Sequence, residues 1–187
     1  FTADWVDGLI LEGRVFGVNN GTLTSPATFS GAMANDEAEI VIDIPDGTIG
    51  IPLSIEFTLS TGTTGLSEMV AIASSTLGAT SSGASLTVYN MRMDAPFSTQ
   101  ATATGSVTTG GNTSPYSGNY IEFFRDGYGT DPSVTGTPPP VYRWSAKKSG
   151  FFPIIVDGGS IMVFAGEAAS TGFITVTWAE LPEGYIK

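Results

Sequence analysis

The chain has 187 residues, 41% of them apolar and only 13% charged, with 24 Gly and 11 Pro, which describes one turn-rich globular domain large enough to bury a core. It contains no Cys and no His, so disulfide frameworks, thiolate or imidazole zinc sites and Ser-His-Asp triads are excluded. The net charge is −11, and residues 1–91 hold ten acidic groups against the single base Arg14, a balance that repels phosphate backbones and anionic lipid.

In chain order, residues 9–18 read as a strand leading to Asn20-Gly21, a favoured two-residue hairpin signal, with 22–29 as the returning strand. Ile40, Ile42 and Ile44 alternate with Glu39, Val41 and Asp43, and Pro45-Asp46-Gly47 forms a turn. Residues 48–60 then alternate without error: Ile49, Ile51, Leu53, Ile55, Phe57 and Leu59 hold every odd position. That period predicts a strand whose six apolar side chains share one buried face. Pro52 lacks a ladder donor, which predicts an edge position or a bulge beside it.

Further strands are predicted at 66–74, 86–93, 98–109, 120–125, 141–146, 161–165 and 173–180, with turn signals between them and no 3.6-residue apolar stripe. The apolar runs 151–156 and 161–165 fall far short of the ~20 residues of a membrane-spanning helix. The first residue is Phe1 and not Met, as in a processed or trimmed chain. The pattern predicts one all-β domain over residues 1–187, an antiparallel two-sheet sandwich. A jelly roll with extra N-terminal strands suits this length best.

Several groups could carry chemistry. Ser145-Ala146-Lys147-Lys148 matches a Ser-x-x-Lys nucleophile pattern, but its companion motifs are missing. Glu122, Glu180 and Asp157 are the carboxylates a glycosidase would need in facing pairs. Residues 35–39 and 126–131 are oxygen-rich loops without the ligand spacing of an EF-hand. Asn20-Gly21-Thr22 and Asn112-Thr113-Ser114 fit the glycosylation pattern. Arg143, Lys147 and Lys148 form too small a basic group for a nucleic-acid footprint. Trp144 with Tyr142, and Tyr116 with Tyr128, could stack on sugar rings, whereas Trp178 alternates with Val176 and Ile174 as core. Neither a metal nor an organic cofactor is implied.

Residues 44–53 (Ile44-Pro45-Asp46-Gly47-Thr48-Ile49-Gly50-Ile51-Pro52-Leu53) resemble an early strand and turn of viral jelly-roll coat proteins. Tyr120-Ile121-Glu122-Phe123-Phe124-Arg125 resembles a mid-domain strand of such proteins, and 171–182, closing on Trp178-Ala179-Glu180-Leu181-Pro182, resembles their last strand. The resemblance spans residues 38–182. It implies a structural virion protein, a coat or cement subunit that acts by self-assembly without catalysis. Its partners would be further copies of itself and other capsid proteins, and its location the virion shell.

Coat proteins that package a genome commonly carry a basic terminal arm. None is present here, so direct nucleic-acid contact is not expected. Exposed aromatics and rigid prolines bury area at small entropic cost. Phe1, Trp5, Tyr116, Tyr128, Pro138, Pro139 and Pro140 are therefore the predicted assembly contacts. The alternative is a secreted, extracellular carbohydrate-binding module on the same sandwich.

Overall fold

A computed structural model describes residues 4–30, 33–60, 65–130, 141–166 and 169–185. Its elements are α1 (Trp5–Glu12), β1 (Val15–Asn20), β2 (Ala27–Phe29), β3 (Ile40–Ile44), β4 (Thr48–Leu59), β5 (Gly65–Ser74), β6 (Ala84–Ser85), β7 (Val88–Asn90), β8 (Thr102–Gly105), β9 (Tyr120–Thr130), β10 (Val141–Ser145), α2 (Ala146–Ser149), β11 (Gly159–Gly166) and β12 (Ser170–Pro182). They form two antiparallel sheets, in the orders β10-β4-β12-β1-β7 and β6-β8-β3-β11-β5-β9, with β2 also on β12.

The connectivity is that of a jelly roll. Four strands, β10-β4-β12-β1, face four others, β9-β5-β11-β3, and the chain crosses between sheets at every link among these eight except β5 to β9. That exception, residues 75–119, wraps one side of the sandwich. It adds β7 beyond β1 and β8 with β6 beyond β3, so both sheets end there in very short strands, a common protection against edge pairing. On the opposite side β9 and β10 are the edges.

Three apolar layers result. The largest lies between the sheets and includes Ile42, Ile55, Phe57, Val163 and Trp178. Phe29 packs edge-on against Phe57 at 5.1 Å, and Phe123 against Trp144 at 4.8 Å. A second layer covers the outer face of the first sheet, where α1 lies on Ile49, Ile51 and Leu53. The third covers the outer face of the second sheet, where Ala38, Val107 and Met33 pack over Val41, Val70 and Phe164.

All six odd residues of β4 are buried, but they do not share a face. Thr177 pairs with Ser54 while Trp178 pairs with Pro52, which leaves Leu53 as the extra residue of a bulge. A bulge inverts the parity of every residue beyond it. Ile55, Phe57 and Leu59 therefore enter the sandwich, whereas Ile49, Ile51 and Leu53 point outward beneath α1. The bulge stands at Pro52, as the missing donor predicts, although β4 is an interior strand.

The N-terminal expectations need correction. The extra strands lie in the connections β1–β3 and β5–β9, and a helix precedes β1. The Asp4 carboxylate accepts the Asp7 N–H at 2.9 Å, and Gly13 ends the helix in the left-handed region at φ 76°. Nor is Asn20-Gly21 a hairpin. A two-residue type I′ turn needs positive φ at both residues, and only Gly21 has it. Asn20 stays in β1, and after residues 21–26 the chain resumes as β2 on β12, antiparallel to it like β1.

The strands expected at 86–93 and 98–109 shrink to β7 and β8. Residues 99–101 instead bond to the Glu180 carboxylate, and β8 is followed by Ser106 at φ 51°.

Candidate assembly surface

The groups that could have carried chemistry are engaged in holding the fold. Ser145 caps α2, accepting the Lys148 backbone N–H at 3.3 Å, while Lys147 pairs with Asp4. Glu122 takes a two-point contact from Arg125 (2.6 and 2.7 Å), and that guanidinium also pairs with Glu68. The Arg125 partner holds the Glu122 carboxyl below its ordinary range. Glu180, on the other sheet, accepts from Trp178 Nε1 at 2.8 Å, Thr99 Oγ1 at 2.5 Å and Gln100 N at 2.7 Å. Asp157 sits in a bend before β11 at φ 59°.

Asn20 and Asn112 of the two glycosylation patterns are both buried. Asn112 Oδ1 accepts the Ala38 N–H and its Nδ2 donates to the carbonyls of Asn35 and Thr113. Both amides are structural, with no room for a glycan. No group of three or more metal-ligating side chains occurs among the described residues. Tyr142 and Trp144 face the core, so they form no sugar platform.

What the surface does present is an apolar band at one end of the sandwich. Its spine is residues 151–156. Ile155 exchanges both backbone hydrogen bonds with Gly50 (2.9 and 3.0 Å) and buries its side chain between the sheets. In extended backbone neighbours point the opposite way, so Ile154 and Val156 are exposed, at 46% and 45%. On one flank Phe152 stacks on Trp5 of α1 at 5.0 Å, and Ile154, Trp5, Leu181 and Tyr185 line a shared recess. On the other flank Ile154 and Val156 share a recess with Tyr120 and Ile121 at the start of β9. Tyr120 in turn meets Tyr116 edge-to-face at 4.7 Å.

The fold thus brings together Trp5 and Tyr116 from the predicted contacts. Tyr128 belongs to the far end of β9, where its backbone pairs with Ser67. Phe1, Pro138, Pro139 and Pro140 lie outside the described residues. Sequence reasoning missed Ile121, Phe152, Ile154, Val156 and Tyr185 as parts of the surface. The available signal was the run Phe151 to Val156, which has neither strict alternation nor a helical period.

The cations are largely neutralised locally. Arg14, Arg92, Arg125, Arg143 and Lys147 each pair with a carboxylate. No helix among the described residues is long and apolar enough to cross a membrane. Comparison with protein-family models, curated proteins and solved structures finds no match.

Proposed function

We propose that the chain is a structural subunit of a virion shell, a coat or cement protein that acts by tiling with copies of itself and with other shell proteins. The observation that carries this reading is the apolar band. It is built on backbone fixed by the Ile155–Gly50 pairing and on a capped helix, so little conformational entropy is lost when it is covered. A jelly-roll frame supports the reading, since this architecture recurs in capsid proteins. Local pairing of the cations and the −11 charge support a shell in which another component contacts the genome.

Electron microscopy of the purified chain tests the proposal. Closed particles or regular sheets are expected, and their loss on Ile154→Asp with the circular dichroism unchanged. Dispersed monomers at high concentration, together with retention on a polysaccharide matrix, would replace this reading with the carbohydrate-binding one.

A further inference from the structure

Glu39 is a carboxylate that neither the band nor the sandwich core requires. It is 2% exposed and sits where four elements converge. Its backbone N–H donates to Val163 of β11 (2.8 Å). Its carbonyl accepts from Ser106, which follows β8 (3.0 Å), and from Asn20 Nδ2 of β1 (2.9 Å). The side chain reaches back to the end of β2, where Oε1 accepts the Ser30 N–H at 2.6 Å. Glu39 therefore ties the two ends of the β2–β3 connection together. Residues of that connection, Met33 and Ala38, cover Val70 and Phe164 on the outer face of the second sheet.

No cation pairs with this carboxylate among the described residues. The one hydrogen bond to the carboxyl comes from the neutral Ser30 N–H at the end of β2, and the groups that meet the Glu39 backbone from β1, β8 and β11 (the Asn20 amide, the Ser106 N–H and the Val163 carbonyl) are neutral as well. The charge that reaches it is that of Glu37, on its own connection. Burying an ionised carboxylate without a counter-charge is costly, whereas burying the neutral acid is not.

We propose that the Glu39 carboxyl is a proton-operated latch between the end of β2 and the start of β3: protonated, it stays seated against Ser30, and ionised, it turns towards water and loosens that junction, while Asn112 and Val107 keep residues 35–38 in place. The latch operates whether or not the chain builds a shell.

Burial pushes the Glu39 carboxyl up to about 7 from 4.5, against the opposing Ser30 hydrogen bond and with a contribution from Glu37. The folded state thus binds its proton more tightly than the unfolded chain does. Stability from this group is complete below pH 4.5, declines as pH rises and is lost above about 7.

The test compares wild type with Glu39→Gln, which is neutral at every pH and keeps the acceptor for Ser30. Hydrogen exchange at the Ser30 amide and at the backbone amide of residue 39, corrected for intrinsic rate, is expected to agree in the two proteins at pH 5. At pH 8 it should be at least roughly tenfold faster in wild type. The wild-type Glu39 carboxyl carbon should titrate near neutrality by NMR, a measurement independent of how the variant folds. Identical exchange at both pH values, or a carboxyl midpoint below 5, would overturn the latch.

Discussion

Glu180 shows how a charged residue in an apolar strand can serve as a structural anchor. Its two oxygens gather the Trp178 indole, the Thr99 hydroxyl and the Gln100 N–H, and so pin the middle of the β5–β9 connection, between β7 and β8, onto β12. Glu180→Ala leaves the buried Trp178 indole and the part-buried Thr99 and Gln100 donors without this acceptor and should cost about 2–3 kcal/mol in urea unfolding. Phe57→Ala, which empties a site wholly enclosed between the sheets, should cost about 3–5 kcal/mol. The fully exposed Leu23 offers the contrast, and Leu23→Ser should stay within about 0.5 kcal/mol of wild type in the same assay. Phe57 was legible as core from alternation alone. The roles of Asn20, Asn112 and Glu180 were not, because a polar side chain's partners come from distant segments that local patterning does not bring together.

At the scale of elements, α1 and the β4 bulge depend on each other. The bulge turns Ile49, Ile51 and Leu53 out of the sandwich, and the helix supplies Val6, Leu9 and Ile10 to cover them. The flawless period of residues 48–60 made the strand plain. It could not show the inversion, because apolar residues occupy the odd positions on both sides of the bulge. The same limit explains why residues 9–18 read as a strand. Leu9 and Leu11 would share a face in a strand, but a helix sets them on nearly opposite sides. Leu9→Ala should therefore cost about 2–3 kcal/mol, and Leu11→Ala, at an exposed position, about 0.5 or less, when both are followed by thermal and urea unfolding. Equal costs would mean that both leucines point the same way.

For the whole molecule, the two-sheet sandwich was legible because alternation, turn residues and chain length all agree on it. The proposed assembly surface was only half legible. Trp5 and Tyr116 stand out as aromatics, but their union depends on Ile154, which reaches the surface because Ile155 is drawn into the core. The band is apolar while the chain as a whole carries −11, so in the proposed shell copies would attract through one surface and repel through their net charge. Raising salt from 20 to 500 mM should screen the repulsion and strengthen association, as read by light scattering.

Sedimentation velocity of the purified wild-type chain beside Ile121→Asp and Ile154→Asp tests the central claim most directly. The account predicts large, discrete assemblies for wild type and folded monomers for both variants, because each carboxylate falls within the band. A wild-type chain that sediments as a monomer across the micromolar range, or variants that assemble as it does, would contradict it.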